Sequence, residues 1–365
     1  METFELTTNV DNVHEWSYLE GCREFAQGFL DNPKGGDWNY DPEEETLLLT
    51  NPDTKLERKV LLAGFSTKRN ESESRGKFGD GLASAICCLL REGYEVIIEN
   101  SDITWKPTIG WSEVFDHEVI LVEEYETSYH NEDYKVYIKG LRPDEMDKVV
   151  ANTLPFQTGE RELHKTPTGD ILLDEEHKGR IYVGGLFICN FNSEYGFDFK
   201  PHCFKLDRDR KSLNPWDIRW QCRLMWEHVG NSATEDQAKH VITAMKINDS
   251  STEHMEYSSP TMNKEVEKAA EEVYNSEYDG KLVASDWEEA EDLRKAGNEV
   301  VLVKSASLVN VIRRTDSYRS FNAGAKKVKS VQELLDEWKE DWSAQLSLEA
   351  LDAYVEMSEK VVDKT

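Results

Sequence analysis

Three glycines, Gly76, Gly79 and Gly81, precede an almost wholly apolar run, Ala83 to Leu90, whose pattern predicts a buried helix capped by Gly93. Glycine accepts positive φ and lets a backbone come close to a ligand. A Gly-x-x-Gly-x-Gly turn entering a helix therefore leaves several N–H groups aimed at one point. Those donors, with the positive end of the helix dipole, suit a phosphate. The spacing is neither Gly-x-Gly-x-x-Gly nor a Walker loop, which ends in Gly-Lys-Ser/Thr. Glycines also serve as plain caps and turns, so the cluster by itself leaves both readings open. Lys68, Arg69, Arg75 and Lys77 are the nearby cations that would offset negative charge elsewhere.

The elements that must position such a turn lie upstream and downstream of it. Trp16, Leu19, Cys22, Phe25, Ala26, Phe29 and Leu30 recur at helical spacing, predicting an amphipathic helix over 12–32 that ends at Asn32-Pro33 and Gly35-Gly36. Glu24, Gln27 and Asp31 lie one turn apart on that helix and share a single stripe. A merely solvated face would carry the same residues. Thr46 to Thr50 reads as a short buried strand leading into Asn51-Pro52-Asp53-Thr54-Lys55-Leu56, and 57–63 as a second short helix. Strands are expected at Tyr94 to Glu99, Glu118 to Glu123 and Tyr134 to Ile138, with a turn at Trp105-Lys106-Pro107.

Gly76-Lys77-Phe78-Gly79-Asp80-Gly81-Leu82-Ala83-Ser84-Ala85 resembles the second glycine box of the GHKL ATPases, the superfamily of gyrase B, the large heat-shock ATPase chaperones, histidine kinases and MutL. Upstream, Ser66-Thr67-Lys68 is similar to the Thr-Ser-Lys that opens the ATP lid in the MutL branch, with the polar stretch Arg69 to Arg75 between the two motifs. The resemblance is strongest over residues 12–100. It implies a Bergerat-type α/β sandwich, helices on one face of a mixed sheet, over 1–142, with Mg-ATP as ligand. Slow hydrolysis is implied as well, with lid closure or homodimerisation as the output.

Residue by residue, Arg23 to Asp31 looks like the family's Glu-x-x-x-Asn helix. That likeness makes Glu24 the general base that orients water, with Asp31 on the acidic position seven residues later. Gly28 stands where the magnesium-binding Asn is expected, leaving the metal to Gln27 or to water. Asn51 falls on the position of the adenine-binding Asp, with Asp53 the competing candidate and Leu56 in the same stretch; the glycines of that box are missing. An amide oxygen still accepts the adenine amino group, without a carboxylate's charge. The superfamily's second, transducer domain presents a cation to the γ-phosphate, and Arg208 and Arg210, in a strand-to-helix loop, match that role by their place in the domain order.

The chain's 365 residues suffice for two or three domains, and 38% hydrophobic content indicates a globular protein. A formal net charge of −29 sets long-range repulsion against nucleic-acid phosphates and anionic lipid, so direct nucleic-acid binding is disfavoured. Six cysteines without a C-x-x-C pair read as buried thiols in a reducing compartment. The N-terminus shows no signal peptide and no apolar run approaches a membrane span, so a cytoplasmic protein is expected.

Beyond residue 142 the pattern predicts a helix over 144–152, strands around Thr168-Gly169-Asp170, an apolar strand pair over 179–189, and a helix from Pro215 to Val229. That gives a transducer-like domain over 143–230 and a C-terminal helical and α/β module over 231–365. The module contains a βαβ unit after Gly280 and acidic tail helices whose stripe of Leu334, Leu335, Trp338 and Trp342 reads as core. A rival to the ATPase reading is a degenerate, non-enzymatic protein of this fold whose acidic surface binds a basic partner or mimics DNA. Gly28 and the glycines missing after Asn51 favour it; Glu24 and the box at Gly76 to Gly81 oppose it.

Overall fold

The structure, a computed structural model, describes residues 1–11, 13–62, 81–127, 132–206, 212–326 and 329–362. It divides into two compact units, Met1–Gln221 and Cys222–Thr365. The first contains β1 (Glu2–Asn9), α1 (Tyr18–Leu30), β2 (Asp37–Asp41), β3 (Thr46–Asn51), α2 (Gly81–Arg91), β4 (Glu95–Asn100), β5 (Ile103–Ser112), β6 (His117–Glu126), β7 (Tyr134–Lys139) and α3 (Pro143–Ala151). It continues with β8 (Leu163–Thr166), β9 (Gly169–Leu172), β10 (Arg180–Val183), β11 (Leu186–Asn190) and β12 (Gly196–Phe199); α4 (Pro215–Asn231) crosses the division.

Strands β3, β4 and β7 alternate buried and half-buried positions, so one face of their sheet meets a core and the other is partly wetted. On the covered face Leu47, Leu49, Val96, Ile98, Val136 and Ile138 pack with Phe25, Ala26 and Phe29 of α1, Ala85, Ile86 and Leu89 of α2, and Met146 and Val149 of α3. This is an α/β sandwich. The sheet runs β1-β6-β5-β4-β7-β3-β2, and every neighbouring pair is antiparallel. The mixed sheet expected from the family resemblance is therefore antiparallel throughout these strands.

Three local expectations change. Trp105-Lys106-Pro107 is the middle of the ten-residue β5, not a turn. Beyond Trp105 the register of β5 continues only with β6, so Pro107 sits where the strand has a free edge and its missing N–H breaks no ladder with β4. The first helix begins at Tyr18, because Ser17 and Glu20 form a capping box: the Ser17 N–H donates to Glu20 Oε2 at 2.8 Å and the Ser17 hydroxyl accepts from Leu19 N–H at 3.3 Å. The short helix expected over 57–63 is one 3₁₀ turn, Arg58–Leu61.

The second sheet runs β11-β10-β12-β9-β8; β10 and β12 are parallel and the other pairs antiparallel. Gly169, which opens β9, has φ +145 and lies so close to β12 that a Cβ there would stand 2.1 Å from the Asp198 carbonyl oxygen. Neither backbone can yield cheaply. Gly169→Ala is therefore expected to cost about 1–3 kcal/mol, read as a lower urea midpoint at unchanged slope. A midpoint equal to the parent's would contradict this packing.

The second unit holds α5 (Glu235–Ile247), α6 (Lys264–Val273), β13 (Leu282–Ala284), α7 (Trp287–Lys295), β14 (Val300–Leu302), α8 (Ala306–Ile312), α9 (Asp316–Ala323), α10 (Val331–Trp342) and α11 (Leu348–Val362). The βαβ pattern after Gly280 folds as read, with β13 and β14 parallel. The tail does not. Leu334, Trp338 and Trp342, read as core, are exposed in α10. Among the cysteines, all six are free; Cys22, Cys87, Cys88 and Cys222 are buried, and burial pushes the Cys88 thiol up to about 12. No helix among the described residues is long and apolar enough to cross a membrane.

Candidate functional site

Most of the glycine turn, with Ser66, Thr67, Lys68, Gly76, Lys77, Phe78, Gly79 and Asp80, lies outside the described residues, as do Arg208 and Arg210. What precedes and follows the turn is described, and it brings the first helix to the start of the second. Gly81 is the first residue of α2, and a Cβ built on it would stand 2.5 Å from Glu24 Oε2. The end of the glycine cluster thus touches the carboxylate of α1.

Glu24 reaches that point because α1 packs its apolar stripe on the sheet and lies along α2, which leaves its polar stripe pinned between elements instead of in water. The carboxylate is buried, and Arg23 Nη2 donates to its Oε1 at 3.4 Å, a long contact. The Arg23 guanidinium in turn lies 5.7 Å from the centre of the Trp16 ring. A carboxylate at the positive end of α2 is favourable in itself, so its position has a structural reason beside any chemical one.

One turn further along α1, Gln27 is only 6% exposed, and its Oε1 has no hydrogen-bond partner among the described residues. Gly28 is exposed and has open space where a Cβ would go, so packing does not exclude a larger side chain there. Asp31 caps the helix, half-buried.

The loop after β3 is tied to this end of α1. Asn32 Nδ2 donates to Thr54 Oγ1 at 3.2 Å, and Lys34 Nζ to the Asp53 carbonyl at 3.0 Å. Within the loop the two adenine candidates separate. Asp53 has φ +46, is exposed, and pairs with Lys34 at 3.5 Å. Asn51 is 6% exposed, and its Oδ1 likewise lacks a partner among the described residues. Leu56 packs partly on the core, as does Leu82.

Two contributors escaped the sequence reading. Gly36 lies so near Phe29 and Asn51 that a Cβ there would stand 2.3 Å from the Phe29 ring and 3.0 Å from Asn51 Oδ1. Asn100, fully buried at the end of β4, accepts from Leu56 N–H and donates to the Leu56 carbonyl, both at 2.8 Å. The flanking Gly35-Gly36 pair was a signal for the first; a lone Asn ending a strand gives none for the second.

No group of three or more His, Cys, Asp and Glu among the described residues is placed to hold a metal. A cavity of about 340 Å³ lies near β12, lined by Phe204, Lys205, Asp217, Trp220 and Gln221 among others.

Fold and site together define an α/β sandwich in which Glu24 of α1 meets the start of α2, with a buried amide acceptor on α1, Gln27, and a second at the end of β3, Asn51. No protein-family model matches the chain. An uncharacterized protein of Mycoplasma pneumoniae is 23% identical over 225 residues, covering 57% of this chain and 91% of that protein. Among solved structures, the chain is similar to the ATPase region of Saccharomyces cerevisiae topoisomerase II bound to ICRF-187 (dexrazoxane), at 12% identity and a TM-score of 0.32. That likeness covers 46% of this chain and 62% of the other, and at this overlap it carries no weight for activity or ligand.

Proposed function

We propose that the chain binds ATP with magnesium along the polar stripe of α1 and hydrolyses it slowly, in the manner of a GHKL ATPase. One observation carries the reading: Gln27 Oε1 and Asn51 Oδ1 are buried acceptors with no donor among the described residues. Leaving each unsatisfied costs on the order of 1–3 kcal/mol, which an incoming donor or cation recovers. The adenine amino group is such a donor for Asn51. For Gln27 the complement is a hard cation, which takes oxygen ligands.

Gln27 is the α1 residue that would hold magnesium, with water completing its ligands, and the ion's chemistry there would be to offset phosphate charge. Glu24 orients a water and takes its proton as the water oxygen bonds to the γ-phosphorus and the bond to the ADP oxygen breaks. In the same reading the amides from Gly76 to Gly81 hold the phosphates, and Ser66, Thr67 and Lys68 open a lid. Arg208 or Arg210 meets the γ-phosphate. Residues 1–142 form the nucleotide domain, 143–230 the transducer and 231–365 an output module, with lid closure or dimerisation as the consequence of binding.

Calorimetry on the full chain tests this. ATP is expected to bind, more tightly with magnesium present. Asn51→Leu is expected to weaken ATP by roughly tenfold while leaving GTP nearly unchanged, because the acceptor for the adenine amino group is lost and guanine carries no amino group at that ring position. The same substitution removes an unsatisfied acceptor, so its melting temperature should stay level or rise, which separates lost recognition from lost folding. Absence of ATP binding by the parent chain would overturn the proposal and favour the non-enzymatic reading.

A further inference from the structure

The C-terminal hairpin of α10 and α11 shows an apolar face that the second unit does not cover. Leu334 is 52% exposed, Trp342 49% and Leu348 82%, with Trp338 and Val355 also open. The hairpin is nonetheless well made. Ser330 and Glu333 form a capping box at the start of α10, Trp338 stacks on Tyr354 of α11 at 4.9 Å, and the Tyr354 hydroxyl donates to the Leu335 carbonyl. Val331, Leu334, Trp338 and Trp342 recur at helical spacing, so on α10 the exposed residues form a continuous stripe, and Leu348 and Val355, seven residues apart, share one face of α11.

The charge around the stripe states what fits it. Over 331–362 the sequence carries nine Asp and Glu against two Lys. A second copy of this chain would bring the same sign to the same face, within a molecule whose formal charge is already −29. Like charges set side by side oppose such a dimer, whereas a cationic partner is drawn in and kept in register.

From the apolar stripe and its carboxylate surroundings we infer that the α10–α11 hairpin is a docking surface for a basic amphipathic helix of a partner protein. The partner lays its apolar face along Leu334, Trp338, Trp342 and Leu348 and its Lys or Arg side chains against the flanking carboxylates, completing a three-helix arrangement. This inference is independent of the nucleotide site.

The test is fluorescence anisotropy of the full chain with a labelled helical peptide of about 18 residues, Leu at i, i+3, i+4, i+7 spacing and Lys elsewhere. A second peptide of the same apolar pattern carries Glu in place of Lys. The Lys peptide is expected to bind, more weakly as salt rises, and the Glu peptide not. Leu334→Glu with Leu348→Glu is expected to weaken binding roughly tenfold or more. Asp341→Lys with Asp352→Lys, exposed carboxylates beside the stripe on α10 and beside Leu348 on α11, leaves the stripe intact and is expected to act the same way; far-UV circular dichroism checks that helix content is kept. Equal binding of the two peptides, or unchanged affinity in both variants, overturns the inference. So does a concentration-dependent dimer in sedimentation equilibrium that the Leu334→Glu, Leu348→Glu chain no longer forms, since a second copy is then the occupant.

Discussion

Glu24→Gln is expected to leave ATP bound with nearly unchanged affinity and to slow phosphate release by roughly 10²–10⁴-fold, the range lost when a positioned general base is removed. Glutamine keeps the shape of the side chain, which matters because Gly81 at the start of α2 stands against Glu24 Oε2. Steric relief or collapse is therefore minimal, and what changes is the capacity to take a proton. Glu24 has a second role to be told apart from the first, since its carboxylate lies at the positive end of α2. Loss of that favourable term lowers the melting temperature but does not slow turnover at a temperature where the chain stays folded. Measuring both quantities on one preparation separates them. Phosphate release equal to the parent's, with a lowered melting temperature, would make Glu24 a purely structural partner of α2 and remove it from the chemistry.

The largest expected loss of stability belongs to Trp105→Ala, about 3–5 kcal/mol by equilibrium urea unfolding. Trp105 is fully buried in β5, and its indole N–H donates to Glu124 Oε2 at 2.8 Å. Glu124 also accepts from Arg58 at 2.6 and 2.9 Å, and the Arg58 guanidinium lies 4.9 Å from the centre of the Phe4 ring. Alanine leaves a void under the sheet and takes a donor from a carboxylate, while Trp105→Phe fills most of the void and should cost less. A loss below about 1 kcal/mol for the alanine chain would show that β5 is not packed as described.

The same cluster gives a pH dependence. Arg58, then Trp105, hold the Glu124 carboxyl below its ordinary value against the opposing effect of burial. A lowered folded pKa means the stabilisation is present above the ordinary carboxylate range and is lost as pH falls through the folded value. Arg58→Met should flatten that acid limb in a comparison of melting temperatures between neutral and acidic pH.

Much of the first unit was legible because its strands are half-buried. The alternation in Tyr134 to Lys139 is the direct imprint of one wet and one dry face, and the run of three Leu in Thr46 to Thr50 marks a strand although only its alternate residues are buried. The apolar run that became α2 had to be covered on nearly every side, and it is. The edge strand β1 left no such imprint: ETFELTTN is a half-polar segment whose pairing is set by β6, more than a hundred residues along the chain, whereas DWNYD does alternate and pairs in a hairpin with the adjacent β3, a signal the sequence reading passed over. Pro107 hid β5, since its effect on a strand depends on which edges are paired, a fact of topology rather than of local composition. In the site, Glu24, Gln27 and Asp31 were readable from helical spacing. The choice between Asn51 and Asp53 was not, because two residues in one loop differ in burial only once Lys34 and the end of α1 are in place. Spacing likewise could not say whether the tail's Leu and Trp stripe would find a cover.

Asn100 fixes both polar groups of the Leu56 peptide backbone with a single side chain that is itself sealed from solvent. A buried strand end is thereby made the anchor for the loop that begins at Asn51. Little conformational freedom remains in that loop to be surrendered, so ordering it would add little to the entropic cost of any association there.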